Sequence, residues 1–288
     1  MGRLASLAAG AAALAALLAG TGCGERSEPT GTTVPLYPVT VTGAADRPLQ
    51  VTRAARRIVV LSPWLLEVLD AMGARSQVVG IPVQPNGSIL VRRLANLHPD
   101  LIVAPASAND VQLSRAAAAT HARVYVAPED SIREVEQAIT ELGLITGKPV
   151  TARKLVHHLE SQRQLVDRRL DGAPNVTVFF DTGLLTPASD QSLTADLIRE
   201  AHGSNVAGET AHPVEPDDLR SLDPRFFLTA SDSGTTFRDL RRNPTLRKLR
   251  AVRSHHFGVI SPALLDPGPR IGAGLLAVAR LLHPDAFR

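Results

Sequence analysis

The 288-residue chain carries 31 Lys+Arg against 28 Asp+Glu, is 44% hydrophobic and 3% aromatic, and has a single cysteine, Cys23. One cysteine excludes an internal disulfide and a thiolate metal cluster. A net charge of +3 gives no argument for a nucleic-acid partner, and runs such as Arg53-Ala54-Ala55-Arg56-Arg57 and Arg168-Arg169 read as solvated faces.

The chain opens with Arg3, an Ala/Leu run and the small-residue exit Gly20-Thr21-Gly22-Cys23. That is the layout of a secretory signal over 1–22, too short and too rich in Ala and Gly for a spanning helix. A cysteine directly after the exit points to lipid attachment at Cys23, although Gly20 stands where a lipid-attachment signal usually has an aliphatic residue. Residues 23–38, rich in Gly, Ser, Thr and Pro, read as a lipid-anchored tether.

A first α/β lobe is expected over 39–148. Pro38–Thr42 and Leu49–Thr52 form a hairpin, and Arg57–Leu61 is a buried strand broken by Ser62-Pro63. Leu65, Leu66, Val68, Leu69 and Met72 then recur at helical spacing. Strands are expected at 77–81, 101–104 and 124–126, with helices at 89–97 and 111–120. Ile132, Val135, Ile139 and Leu142 mark a helix ended by Gly143 or Gly147. A connecting helix over 149–172 follows, with about twenty helical residues and roughly 30 Å of length.

A second lobe is expected over 173–288. It holds strands at 176–180, 224–229 and 259–260, helices at 193–202 and 216–222, and a last helix opening at Gly268-Pro269-Arg270. Strand–helix alternation predicts mainly parallel sheets. The fold class is α/β, two lobes joined by one long helix. Ligands in such sheets sit outside the carboxyl ends of the strands, so a cleft between lobes is the expected site.

Several ordered motifs are similar to those of the helical-backbone solute-binding proteins of ABC importers, which take ferric siderophores, haem and cobalamin. They are Val39-Thr40-Val41, Arg57-Ile58-Val59-Val60-Leu61-Ser62-Pro63 with Glu67 and Gly73, Leu97-His98-Pro99-Asp100-Leu101, Leu142-Gly143 with Thr146-Gly147, Gly203-Ser204-Asn205-Val206-Ala207, Leu222-Asp223-Pro224 and Gly268-Pro269-Arg270-Ile271. The resemblance covers about residues 36–286. It implies an exported, membrane-tethered monomer that captures a small-molecule ligand and delivers it to an ABC permease, with no cofactor and no catalysis. Family members dock on the permease through one carboxylate per lobe. Asp217 stands at the second-lobe position, whereas Arg92 stands at the first, and the 82–98 loop is shorter than in the family. Those departures motivate an alternative, a degenerate relative serving as a scaffold or sensory partner without transport.

Candidate ligand contacts lie where strands end. Trp64 either stacks on a flat ligand or packs on the following helix. Arg270 either grips an anionic group or forms an interlobe salt bridge to Asp266 or Asp181. Asp181, Thr182, Ser107 and Asn109 either offer hydrogen bonds to a ligand or form turns and caps. Tyr125, in mid-strand, reads as core. His98, His157-His158 and His255-His256 do not follow strands at the cleft edge, so a bare-metal site is not expected. Neither a Gly-x-Ser-x-Gly elbow nor a phosphate loop occurs.

Overall fold

The computed structural model describes residues 36–44, 48–84, 86–209 and 212–288. The signal segment, Cys23 and most of the tether lie outside the described residues. Leu36–Arg288 forms one compact unit.

Strands β1 (Val39–Val41) and β2 (Leu49–Val51) pair antiparallel as the expected hairpin. The first lobe contains β3 (Ile58–Val60), α1 (Pro63–Ala71), β4 (Val78–Gly80), α2 (Val91–Asn96), β5 (Leu101–Pro105), α3 (Asp110–Thr120) and β6 (Arg123–Ala127). Then come α4 (Ile132–Thr146) and the long α5 (Pro149–Leu170). The second lobe contains β7 (Val176–Asp181), α6 (Leu193–Glu200), β8 (Gly203–Asn205), α7 (Pro216–Leu222), β9 (Phe226–Ala230), α8 (Phe237–Arg242), α9 (Arg250–Arg253), β10 (Phe257–Ile260) and α10 (Ile271–Leu282).

Both four-stranded sheets are wholly parallel, and they share one winding order. The first runs β4-β3-β5-β6; the second, read from its other edge, runs β8-β7-β9-β10. In each, the order reverses between the first and third strands of the lobe (β3 and β5, then β7 and β9), the point at which open α/β sheets commonly bind ligands.

The sheets are buried on both faces, and alternation assigns each face to a different core. Ile58, Val60, Leu101, Val103 and Tyr125 join Val178, Phe180, Leu228 and Ile260 in one apolar cluster that runs through both lobes. Val59, Ile102 and Ala104 face a separate cluster with Leu94 and Leu113. Phe179 and Phe227 face a third with Leu219, Leu240 and Val252. Tyr125 is buried, and its hydroxyl donates to Glu141 at 2.7 Å.

Segment α5 links the lobes by close approach to two helices. Gly143 of α4 lies against Ala152 of α5, so a Cβ at 143 would come within 2.3 Å of the Ala152 Cβ. This explains why α4 runs through Gly143 and ends only at Gly147. On the other side, a Cβ at Gly272 of α10 would lie 2.0 Å from Gln162 Oε1.

Three expectations need adjustment. The expected helix 193–202 stops at Glu200, because Gly203–Asn205 pairs with β7 as an edge strand. Helices α8 and α9 were not expected; both are short, and α8 is fixed by a Thr236–Asp239 capping box.

Gly143→Ala tests the helix clamp. In a free helix the change would stabilise by up to about 1 kcal/mol. Here the overpacking should dominate and lower stability by about 1–2 kcal/mol, read as a lower urea midpoint with an unchanged slope.

Candidate functional site

In the first lobe, the edge at the carboxyl ends of the strands is tied together by one carboxylate. Glu129, just past β6, accepts the Trp64 indole N–H at 2.9 Å and the Ser107 backbone N–H at 2.8 Å. Trp64 follows β3 and Ser107 follows β5, so Glu129 joins three strand ends. Pro63 at the first turn of α1 ends β3 and places Trp64 there. Trp64 is only 7% exposed and packs in the shared core. Ser107 is exposed at the rim, and Asn109 caps α3 by accepting the Gln112 N–H at 3.0 Å.

In the second lobe, Asp181 ends β7 and is fully buried. Its carboxylate accepts the Gly183 N–H at 2.9 Å and the Thr235 hydroxyl. The Thr182 hydroxyl donates to the Thr186 carbonyl at 3.0 Å. Both side chains shape the loop that borders the switch point of this sheet.

The two edges meet. Arg270, just before α10, donates from Nη2 to both Glu67 oxygens at 3.0 Å. Gly268 passes Trp64, with a Cβ there falling 3.9 Å from the Trp64 Cβ. Deeper in, the buried Asp196 of α6 accepts the Ile132 N–H of α4 at 2.8 Å. Arg270 thus pairs across the lobes with Glu67, not with Asp266 or Asp181. Asp181 is committed inside its own loop. Asp266 sits close by, its carboxyl pushed up by burial, then by Glu67, against the pull of Arg270. Asp130 is likewise raised, by burial and then by Glu129.

The facing edges therefore carry Glu67, Asp232 and Asp266 near Arg270, and Glu129 beside Asp130. Such a wall offers acceptors to a ligand that brings donors or positive charge. Among the described residues, no three His, Cys, Asp or Glu side chains converge as a metal-holding group. Sequence reasoning placed Trp64, Ser107, Asp181 and Thr182 after strands and Arg270 at the start of the last helix, and the fold puts each at one of the two edges. It did not single out Glu129; a carboxylate after Ala127-Pro128 at a strand end was the available signal. Arg92 on α2 and Asp217 in the first turn of α7 are exposed on their lobes.

Residues 76–264 match the periplasmic binding protein family, and the chain belongs to it. It is 23% identical to YvrC of Bacillus subtilis, described as an uncharacterized ABC transporter substrate-binding lipoprotein, over 96% of this chain and 97% of that one. Among solved structures it resembles Helicobacter pylori CeuE in a nickel–histidine complex, with a TM-score of 0.72, 18% identity, and coverage of 86% and 89%. It also resembles the vitamin B12-binding protein BtuF of Vibrio cholerae, with a TM-score of 0.68, 17% identity, and coverage of 81% and 98%. Among the described residues, no helix is long and apolar enough to cross a membrane.

A folded-state carboxyl raised above its unfolded value adds stability at low pH that is lost as pH rises through the raised value. Asp266→Asn removes that loss. The variant should melt higher than the parent at neutral pH, with the gap closing at about pH 3, below the ordinary Asp range. A pH-independent gap would mean that folding does not raise the carboxyl.

Proposed function

We propose that the protein is the extracytoplasmic solute-binding lipoprotein of an ABC importer, anchored through Cys23, and that it captures a bulky iron chelate or a cobalamin-type ligand between its lobes. The observation that carries this reading is the meeting of two identically wound sheets at their carboxyl edges, bridged by Arg270 and Glu67. The description of YvrC supports the transport role and the anchor, and the ligand of BtuF is of the size a two-lobed cleft encloses. Capture needs no covalent step.

In this reading Arg270 and Ser107 contact the ligand, while Trp64, Asp181 and Thr182 hold the walls that frame it. The carboxylates favour a chelate presenting amide or cationic edges over one presenting free carboxylates. Asp217 and Arg92 dock on the permease, one from each lobe. A second reading, a scaffold or sensory relative without transport, draws on Arg92, whose exposed positive charge replaces the carboxylate expected on α2.

The test is thermal melting with cobalamin, haem and a panel of ferric siderophores. A cognate ligand at a hundred times its Kd should stabilise the fold by about 2.7 kcal/mol. Ser107→Trp, at the exposed rim, should abolish that stabilisation without lowering the melting point of the free protein. Absence of stabilisation by every chelate would sink the capture reading. Uptake that rises in Arg92→Glu with the cognate permease would favour the scaffold reading for the natural chain.

A further inference from the structure

The fold collects a concentration of positive charge that the near-neutral total conceals. Residues 237–255 hold seven of the chain's Lys+Arg residues and one acidic residue, Asp239. In the second lobe, Arg220, Arg241, Arg247, Lys248, Arg253 and His255 line one concavity of about 830 Å³. All six are exposed. Arg238 and Arg242 extend the surface through a neighbouring concavity that shares Arg241. Among the described residues, the ion pair in this region is Arg250 with Asp223, and the lining cations have no carboxylate partner.

Topology fixes where this surface lies. Helices α7 and α9 each precede a parallel strand and so end at the amino edge of the sheet, whereas α8 follows β9 and leads into α9. Arg220, Arg241 and Arg253 occupy their last turns. The concavity that Arg220, Arg253 and His255 line is therefore at the amino edge of the sheet, away from Asp181 at its carboxyl edge.

We propose that this basic surface docks on the phosphodiester headgroups of an anionic membrane, independently of the cleft and its ligand. The carboxyl ends of α7 and α9 lie at this edge and bring partial negative charge to it. A small anion seated there would meet those ends, whereas a sheet of headgroups meets only the tips of long, exposed side chains. The width of the patch, spread over two open concavities, also fits a surface better than a single small ligand.

The test uses residues 36–288, the compact unit that contains all three apolar clusters, so no acyl chain contributes. It should cosediment with vesicles of phosphatidylcholine mixed with phosphatidylglycerol, and not with phosphatidylcholine alone. Binding should weaken steeply as salt is raised. Arg241→Gln/Arg247→Gln/Arg253→Gln should lower partitioning on the order of tenfold to a hundredfold. The control Arg153→Gln/Lys154→Gln/Arg168→Gln, on α5, should not. Equal melting points of parent and variants would show that the fold is retained. No binding to the anionic vesicles, or binding that the first triple variant keeps, would overturn the proposal. So would saturable binding of soluble pyrophosphate that displaces the vesicles, which would make this a small-anion site. Attachment that requires a permease in the vesicle would assign the surface to a protein partner instead. None of these outcomes depends on which chelate the cleft takes.

Discussion

The architecture depends on the clamping of α5 between α4 and α10. At Gly143–Ala152 and at Gly272–Gln162 the helices approach closely enough that a single added carbon would collide. Because α4 belongs with the first lobe and α10 with the second, these contacts make the apolar core continuous from Ile58 to Leu282. Relative movement of the lobes must then shear a close-packed interior, which is resisted far more strongly than the bending of a flexible strand. A half-buried pair, Glu136 with Arg163 at 3.6 Å, adds a polar tie between α4 and α5. Burial raises the Glu136 carboxyl even so, before the opposing pull of Arg163.

A stiff frame shifts the burden of ligand entry to the few contacts that cross the cleft. The Arg270–Glu67 pair is about half exposed on both sides, so the attraction is modest in water. It can separate without reorganising the core. The deeper Asp196 bond to the Ile132 N–H is buried and lies at the base of α4. The rim is therefore adaptable and the base fixed, an arrangement suited to small adjustments around a ligand.

Much of this was legible because the strands are buried on both faces. Val59-Val60-Leu61 and Phe226-Phe227-Leu228 read as unbroken apolar runs, and Pro, Gly and Ser mark their ends clearly. The fold class and strand-end positions follow from such patterns. What the sequence could not show was pairing across the lobes. Arg270 and Glu67 are 203 positions apart, and no local spacing links them. Glu129 escaped notice for the same reason, since its partners belong to two other strand ends. Strand β8 was missed because Gly203-Ser204-Asn205 has no apolar pattern, and pairing with β7 alone makes it a strand. The positive charges looked scattered because Arg220 is distant in sequence from Arg241 to Arg253, and only the fold brings them to one concavity.

That shared placement gives the second lobe an electrical polarity. Its cleft edge meets a group of carboxylates around Arg270, while its far edge presents unpaired guanidinium groups. A net charge near zero thus hides two fields of opposite sign at the ends of one sheet, and such fields orient a protein before it makes contact. Near an anionic leaflet the far edge is drawn in and the carboxylate-lined cleft is repelled outward, towards incoming solute. If Arg92 of α2 and Asp217 of α7 dock on a permease as proposed, delivery would then require the protein to turn over. The same charges that hold the protein at the membrane would set the cost of that turn, so attachment and delivery are balanced against each other through ionic strength rather than through the cleft.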